Sequence, residues 1–313
     1  MTKPGCLMVG PMSENVVAQL NALFTVHNFW EAEDKPAFLN EIAPTTRYVI
    51  TPGSRGCSAE IINGLPGLEL VASMGVGYDA VDVAAAKAAN VRVTNTPDVL
   101  NDCVAEVTLG LMLSLAHRIP QADRYVREGH WENAKYPLAD ELFGRRAGIL
   151  GLGRIGKEIA RRLEAMRMEI VYHGRTRQED QPYRFYDNLV TMAREVDWLV
   201  VIAPKSAATN NIVNADVMDA LGPEGCLVNV ARGSLVDQEA MIALLEAGKL
   251  GGAALDVFAR EPHVPQRLRD LENVVLLPHV GSATRATRRR MEDLTVANLR
   301  AHMNGEELVS PVA

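Results

Sequence analysis

Short apolar runs alternate with helical patterns through the amino-terminal third of the chain. The apolar runs lie at residues 6–9, 48–51, 68–73 and 91–94. Apolar residues at helical spacing lie between them, at residues 13–23 and 81–89. Strands and helices that alternate in this way predict a parallel β-sheet with helices on both faces.

A second alternating series begins at Arg146. It predicts six further strands, at residues 147–150, 169–172, 198–202, 226–229, 252–255 and 274–277. Strands of this number with helices between them form a doubly wound sheet of their own, so the predicted fold class is α/β with two doubly wound parallel sheets. An amphipathic helix at residues 285–303 follows the last strand.

A long apolar helix is predicted between the two series. Asn101 or Asp102 can cap its start, it is apolar on nearly every side, and it is expected to end at His117, Arg118 and Pro120. A helix of this kind is buried, either between domains or against another subunit. The stretch that follows, residues 121–140, is polar.

A glycine-rich loop follows the first strand of the second series. Gly151, Gly153 and Gly156 form the pattern GxGxxG, which opens a helix and is followed by the strand at 169–172. In such a βαβ unit the glycines permit a tight turn, a close approach of backbone to pyrophosphate, and close packing of helix on strand. The helix N-terminus adds amide donors for the negative charge. The sequence therefore predicts a dinucleotide site, with a glycine-rich turn that binds nothing as the alternative.

The residues after that second strand bear on the choice of cofactor. An acidic residue there accepts hydrogen bonds from the adenosine ribose hydroxyls. This chain has Gly174, Arg175, Thr176 and Arg177 instead, and the first carboxylate is Glu179. Arginine and hydroxyl groups suit a 2′-phosphate, so we predict a preference for NADPH (NADP), with NADH as the second choice. The alternative is a solvated basic turn.

Polar residues also follow three later strands. Arg232 follows the strand at 226–229. Asp256 and Glu261 follow the next strand, and His279 follows the last one. The carboxyl ends of the strands in a doubly wound sheet open onto the crevice where ligands bind, so we expect these side chains to converge. Taken singly, His279 is equally well explained as a satisfied core histidine, and Arg232 with Glu261 as a structural ion pair.

The composition narrows the class of protein further. The 313 residues include 32 Lys and Arg against 39 Asp and Glu, a formal net charge of −7. This acidic balance argues against nucleic acid or an anionic membrane as the main partner. The four cysteines form no CxxC pair and the histidines do not cluster. The sequence therefore predicts free thiols, no metal site and a cytoplasmic location.

Six motifs together carry a resemblance to a known family. They are ASMGVGYDAVD from Ala72, NTPDVLNDCVAE from Asn95, GILGLGRIGKEIA from Gly148, NVARGSLVD from Asn229, ALDVFAREP from Ala254 and LLPHVGSAT from Leu276. In this order and spacing the chain resembles the D-isomer-specific 2-hydroxyacid dehydrogenases, and among them the glyoxylate/hydroxypyruvate and hydroxyphenylpyruvate reductases. The resemblance implies a Rossmann-type cofactor domain, residues 99–284, inserted in a smaller flavodoxin-like substrate domain, residues 1–98 and 285–313.

The resemblance also implies a role for each matching residue. His279 would be the acid/base that gives a proton to the ketone oxygen, with Glu261 as its carboxylate partner and Arg232 orienting the substrate. The backbone amides of Val76 and Gly77 would hold the substrate carboxylate. Cofactor contacts, among them an aspartate on the nicotinamide carboxamide, would come from Gly151, Gly153, Arg154, Ile155, Gly156, Gly174, Arg175, Thr176, Arg177, Ala203, Pro204, Thr209, Val230, Ala231, Arg232, Asp256, His279 and Gly281.

The expected function follows from these roles. It is the NADPH-dependent reduction of a small 2-keto acid, glyoxylate or hydroxypyruvate first, to the D-2-hydroxy acid. Two alternatives stay open: a reductase of bulky aromatic keto acids such as hydroxyphenylpyruvate, and a non-catalytic, nucleotide-sensing interaction protein. The apolar helix that begins at Asn101 predicts a homodimer, so the expected partners are a small-molecule keto acid and a second copy of the chain, with no nucleic acid and no membrane.

Overall fold

The computed structural model describes residues 3–312, which divide into two compact units. One unit contains residues 3–100 and 284–312, and the other runs from Asn101 to Ala283. Met1, Thr2 and Ala313, which the predicted substrate domain includes, lie outside the described residues. The assignment of a substrate role to one unit and a cofactor role to the other stays a prediction.

The first unit is built on a five-stranded parallel sheet. Its strands are β1 (Gly5–Met8), β2 (Thr25–Asn28), β3 (Thr46–Pro52), β4 (Leu70–Met74) and β5 (Arg92–Thr94), in the order β2-β1-β3-β4-β5. Its first helices are α1 (Glu14–Leu23), α2 (Lys35–Ile42), α3 (Ala59–Gly64) and α4 (Val83–Ala88). This strand order is that of flavodoxin-like sheets, as predicted.

Successive side chains of these strands point to opposite faces of the sheet. Leu7 and Val49 belong to a buried cluster with residues of α2 and α3. Their neighbours Cys6 and Ile50 belong to a second cluster with residues of α1. The sheet is therefore buried on both faces, which explains why its strands are continuous apolar runs rather than alternating ones.

The second unit is built on a seven-stranded parallel sheet. Its strands are β6 (Arg146–Leu150), β7 (Glu169–His173), β8 (Arg184–Tyr186), β9 (Trp198–Val201), β10 (Cys226–Asn229), β11 (Gly252–Leu255) and β12 (Val274–Leu276), in the order β12-β11-β10-β9-β6-β7-β8. Its helices are α5 (Asn101–Ala116), α6 (Ile119–Arg127), α7 (Arg154–Ala165), α8 (Leu189–Arg194), α9 (Ala215–Leu221), α10 (Gln238–Glu246) and α11 (Gln266–Arg269). The order reverses between β6 and β9, which is the switch point at which ligands bind in such sheets. The predicted fold class, a Rossmann-type domain inserted in a flavodoxin-like one, is confirmed.

The last helix, α12 (Arg285–Met303), returns to the first unit, where it packs on α1 and β4. Its bounds are those predicted from the sequence. No helix in the described part of the chain combines the length and the apolar character that crossing a bilayer requires.

Four local predictions were wrong. The first sheet has five strands where four apolar runs were found, because β2 was missed, and the second sheet has seven strands, not six, because β8 was missed. The apolar helix α5 ends at Ala116, and Arg118 takes a left-handed conformation with φ 52°. Pro120 does not end this helix; it lies in the first turn of α6, where a missing N–H costs nothing, so α6 begins the stretch interpreted as polar. Within its unit α5 packs on α7 and on β10 to β12, and its burial against a second subunit stays a prediction.

Candidate active site

The glycine loop lies at the switch point, between β6 and α7. Gly151 has φ 102°, and a Cβ on it would lie 2.8 Å from the backbone of Ala203, which follows β9. A Cβ on Gly156 would overlap the carbonyl oxygen of Gly151. Because neither position has room for a side chain, the loop can turn tightly and α7 can begin directly against it.

The N-terminus of α7 is open on the side of this loop. Gly153 is its N-cap residue, and a Cβ there would meet no described atom within 4 Å. The helix begins with Arg154 and Ile155, and the first amides of an α-helix carry the positive end of its dipole. A cradle of amides with space above a glycine fits the pyrophosphate of a dinucleotide.

The basic turn after β7 is exposed to solvent. The side chains of Arg175, Thr176 and Arg177 are all exposed, and Gly174 precedes them. Arg177 Nε lies 3.4 Å from Glu179 Oε1 in an exposed ion pair. Arg175 therefore has the greater freedom to meet a phosphate, since an exposed ion pair already engages Arg177.

Gln178 ties the basic turn to the glycine loop. Its Nε2 donates a hydrogen bond of 2.7 Å to the carbonyl of Leu152, and its backbone N–H donates one of 2.7 Å to the hydroxyl of Tyr172. Tyr172 is itself buried in β7. The spacing between the basic turn and the amide cradle is thereby fixed by the protein alone.

The turn that carries Arg232 is held by Asn229, the last residue of β10. Asn229 is 1% exposed; its Oδ1 accepts from the Ala231 N–H at 3.1 Å and its Nδ2 donates to the Arg232 carbonyl at 2.9 Å. A Cβ on Gly233 would overlap the backbone of Phe258, which lies just beyond β11. The Arg232 turn is thus pressed against the segment that leads to Glu261.

His279 and Glu261 form a hydrogen-bonded pair. His279 Nδ1 lies 2.7 Å from Glu261 Oε2, and Glu261 Oε1 accepts from the Phe258 N–H at 3.1 Å. Burial disfavours the charged carboxylate, but His279, the Phe258 amide and the Arg232 guanidinium outweigh it and hold the pKa of Glu261 below its ordinary value. With Nδ1 bonded to the carboxylate, Nε2 is the ring atom left to exchange a proton. The His279 side chain is 43% exposed, so the ring is accessible to solvent.

The His279 turn is fixed from below by Asp256. His279 has φ 55°, a left-handed conformation that is uncommon outside glycine. Asp256 Oδ1 accepts from the Val280 N–H at 2.7 Å and Oδ2 accepts from the Gly281 N–H at 2.8 Å. Burial raises the pKa of Asp256 above its ordinary value, although these amides favour the carboxylate. Asp256 is 1% exposed and both of its carboxylate oxygens accept hydrogen bonds from the turn, so it stabilises the turn. Its contact with a nicotinamide stays a prediction.

The other predicted cofactor residues lie at the ends of β9 and β10. Ala203, Val230 and Ala231 are buried and Pro204 is exposed. The Thr209 hydroxyl donates to the Pro204 carbonyl at 2.8 Å, which closes the loop after β9. The carboxyl edge of the sheet thus carries the glycine loop, the Arg232 turn and the His279 pair.

The predicted substrate loop belongs to the first unit. Val76 and Gly77 come after β4 and are half-buried. A Cβ on Gly53 would lie 3.2 Å from Gly75 Cα, so two backbone segments approach closely beneath the loop.

Sequence reasoning missed the residues that hold these groups in place. Asn229 and Gln178 were passed over, although an asparagine that ends an apolar strand is a signal, because a buried amide needs partners. A cavity of about 370 Å³ lies at the opposite, amino-terminal edge of the second sheet, lined by Trp198, Cys226 and Gly251 among others, and none of the predicted site residues lines it. Among residues 3–312 no group of three or more His, Cys, Asp or Glu is arranged to hold a metal ion.

Comparison with known proteins places this geometry in a family. Residues 109–281 match the family model described as D-isomer specific 2-hydroxyacid dehydrogenase, NAD binding domain. The chain is 46% identical over 312 residues to glyoxylate/hydroxypyruvate reductase A of Arabidopsis thaliana, covering 100% of each chain. It is 45% identical over 308 residues to hydroxyphenylpyruvate reductase of Plectranthus scutellarioides, covering 98% of each.

A solved structure gives the same result. The NADPH-dependent glyoxylate/hydroxypyruvate reductase of Sinorhizobium meliloti, in complex with NADP and malonate, superposes with a TM-score of 0.95 at 43% identity and covers 100% of this chain and 97% of its own. The named activities of these relatives support an enzyme that reduces keto acids with a nicotinamide cofactor, rather than the nucleotide-sensing alternative. The chain therefore belongs to the D-isomer-specific 2-hydroxyacid dehydrogenase family.

Proposed function

We propose that the protein is an NADPH-preferring reductase that converts a small 2-keto acid, glyoxylate or hydroxypyruvate first, to the D-2-hydroxy acid. The observation that carries this proposal is the hydrogen-bonded pair of His279 and Glu261, with Arg232 beside it, on the sheet edge that also carries the amide cradle. A proton donor and a cation next to a dinucleotide cradle are what the reduction of an anionic ketone requires.

His279 delivers the proton in this mechanism. A nicotinamide cofactor held by the glycine loop and the first amides of α7 would supply the hydride that the carbonyl carbon takes up. Protonated His279 gives its Nε2 proton to the carbonyl oxygen, so that the ketone becomes a hydroxyl. Glu261 keeps the ring oriented through Nδ1 and stabilises its positive charge before transfer. His279 then regains a proton from solvent, which reaches it because the side chain is part-exposed.

Charged and backbone donors orient the substrate. The Arg232 guanidinium has the planar fork that suits carboxylate and carbonyl oxygens. In the first unit, the amides of Val76 and Gly77 bind the substrate carboxylate. Both contacts are made to the carboxylate and the carbonyl oxygen of the substrate. The side chain of the substrate must therefore be selected by other residues.

The preference for NADPH rests on Arg175. It is exposed, stands where a ribose-binding carboxylate is absent, and belongs to a turn that Gln178 holds beside the amide cradle. The Sinorhizobium meliloti relative is described as NADPH-dependent and binds NADP. A 2′-phosphate next to this exposed guanidinium gains a charge-assisted hydrogen bond that NADH lacks.

Initial rates of NADPH oxidation test the proposal. Glyoxylate, hydroxypyruvate and hydroxyphenylpyruvate are compared on the wild type and on His279→Ala, with the exposed His263→Ala as the matched control. We expect turnover of at least one small acid, a loss of about 10²–10⁴-fold in His279→Ala, and a wild-type rate in the control. An unchanged rate in His279→Ala removes the histidine from proton transfer, and no turnover of any keto acid by the wild type refutes the proposal.

A reductase of bulky aromatic keto acids is the second candidate. It is favoured by the 45% identity to hydroxyphenylpyruvate reductase, which is nearly that to the glyoxylate/hydroxypyruvate reductase. The same assay separates the two: a kcat/KM for hydroxyphenylpyruvate well above that for both small acids makes the aromatic substrate the main one.

We also propose a homodimer. Among residues 3–312, five of the nine exposed large hydrophobic side chains fall in one segment of the second unit, residues 119–143: Ile119, Val126, Trp131, Leu138 and Phe143. Exposed apolar side chains concentrated in one segment favour a surface that a second copy of the chain covers. Light scattering should give twice the chain mass of 34.1 kDa, and Trp131→Asp with Leu138→Asp should lower it; a wild-type monomer refutes the dimer. A cytoplasmic location and the absence of nucleic-acid binding stay predictions.

A further inference from the structure

Asn95 connects the end of β5 to the substrate loop. It follows β5 directly and is 9% exposed. Its Nδ2 donates a hydrogen bond of 2.8 Å to the carbonyl of Val76. The N–H of the next residue, Thr96, donates one of 2.9 Å to the carbonyl of Gly75. Two consecutive carbonyls of the substrate loop are therefore tied to the same two-residue segment.

These two bonds decide where the loop amides point. A trans peptide is planar, with its C=O and N–H directed to opposite sides. The Gly75 carbonyl shares a peptide with the Val76 N–H, and the Val76 carbonyl shares one with the Gly77 N–H. Because both carbonyls point to the Asn95 segment, both N–H groups point away from it. Successive amides that face one way form a concave anion site, and hydrogen bonds within this unit leave both N–H groups without an acceptor among the described residues.

The carboxyl-terminal segment in turn fixes Asn95. The Ser310 hydroxyl donates to the Asn95 carbonyl at 2.7 Å, and the Asn95 N–H donates to the Ser310 carbonyl at 3.4 Å. Asn298 of α12 is fully buried and meets Ser310 twice: its Nδ2 donates to the hydroxyl at 2.8 Å and its Oδ1 accepts the Ser310 N–H at 3.0 Å. The Val312 N–H then donates to the Val93 carbonyl at 2.8 Å, so this segment runs along β5.

We propose that Asn95 is a positioning residue for the substrate carboxylate, and that Ser310, held by Asn298, sets its position from the carboxyl terminus. This inference rests on the proposed function, in which the Val76 and Gly77 amides bind that carboxylate. Asn298, Ser310 and Asn95 are buried, and each is hydrogen-bonded to the next. A change at Ser310 therefore alters the position of Asn95 and, through it, of the substrate loop. The device acts on carboxylate binding and leaves proton transfer and cofactor binding alone, because His279 and the amide cradle belong to the other unit.

Steady-state kinetics with the full chain test the proposal. Asn95→Asp keeps the shape of the side chain but replaces the Nδ2 donor with an oxygen, which repels the Val76 carbonyl. We expect KM for the better small keto acid to rise about 10–100-fold, the loss of one charge-assisted amide contact, with kcat and the Kd of NADPH within about twofold of wild type. Ser310→Ala should raise KM about 3–10-fold, and Ser310→Thr, which keeps the hydroxyl, should restore most of it.

Asn15→Ala is the matched control. Asn15 Nδ2 donates to Glu292 Oε2 at 2.8 Å, so this variant loses a similar bond to the same helix α12 without touching the loop, and its KM should stay at the wild-type value. The inhibition constant of malonate, measured on each variant, should follow KM, because it reports carboxylate binding without turnover. An unchanged KM in Asn95→Asp overturns the inference, as does a parallel change in KM, kcat and the Kd of NADPH. A wild type that reduces no keto acid instead refutes the proposed function.

Discussion

Removal of the Asp256 carboxylate tests how the His279 turn is held. The carboxylate accepts from the Val280 and Gly281 amides at 2.7 and 2.8 Å, directly after a histidine with φ 55°. Asp256→Ala leaves both N–H groups without an acceptor. Asp256→Asn keeps one oxygen acceptor and turns an NH2 group toward the other amide, so it leaves one N–H group without an acceptor.

The magnitude follows from the number of stranded amides. A buried N–H without a partner costs about 1–3 kcal/mol, so the loss of both acceptors in Asp256→Ala costs about 2–6 kcal/mol. Burial raises the pKa of Asp256, which means that its site disfavours the charge, and removing that charge returns part of the loss. We expect a net loss of about 2–4 kcal/mol. For a unit of this size 1 kcal/mol shifts Tm by about 2–4 °C, so Tm should fall by about 4–16 °C, and by about half as much in Asp256→Asn.

Thermal unfolding of the protein without cofactor is the assay. The expected order of Tm is wild type, Asp256→Asn, Asp256→Ala, and kcat should fall in the same order because the His279 ring loses its fixed position. If Asp256 served only as a cofactor ligand, both variants would unfold at the wild-type temperature and only the Kd of NADPH would rise. That result would refute the structural role.

Three further predictions concern the neighbouring groups. Glu261→Gln replaces a charge-assisted hydrogen bond worth about 1.5–3 kcal/mol with a neutral one. Since the pair is over a third exposed, we expect the transition state to lose about 1–2 kcal/mol of stabilisation, which lowers kcat about 5–30-fold. An unchanged kcat would contradict a role for the pair in proton transfer. Because the pKa of Glu261 is lowered in the folded protein, its carboxylate stabilises the fold at pH values above the ordinary pKa of 4.5, and this stabilisation is lost as the pH falls below 4.5. The Tm of Glu261→Gln should therefore fall less on acidification than the Tm of the wild type. An equal fall in both proteins would count against the lowered pKa. Arg175→Ala should raise the Kd of NADPH about 10–100-fold and leave that of NADH unchanged, while Arg177→Ala, already paired with Glu179, should have the smaller effect; equal losses for both cofactors would defeat the 2′-phosphate argument.

The central strands could be predicted because they are buried on both faces. The cores of β6, β9, β10 and β11 lay inside the predicted apolar runs, since a strand between two layers of helices needs apolar residues at every position. The strands that were missed, β2 and β8, lie at the edges of their sheets. The sequence of β2 is TVHN and that of β8 is RFY, and an edge strand with exposed positions gives no apolar run.

Helix α6 escaped prediction for a related reason. None of its residues is buried in the described structure, so it has no apolar face that packs on the rest of its unit. Its first turn contains Pro120, which also reads as a stop for the preceding helix. The break at Arg118 decides between the two readings, and a left-handed arginine leaves no mark in the sequence.

The candidate catalytic residues could be predicted from the sequence because they lie near strand ends. The residues that hold them and the substrate loop in position could not. Arg232, Glu261 and His279 each interrupt an apolar pattern within a few residues of a strand, which makes them visible along the chain. Asn95 also follows a strand, but its importance depends on Ser310, 215 residues away, and on the direction of two peptide planes. A pattern along the chain reports where a polar group stands and not which distant atom it meets, so groups that touch the substrate are found before the groups that aim them. A mutational scan of this enzyme guided by sequence alone would therefore find the residues that change kcat and pass over Asn95 and Ser310, whose effect we expect in KM.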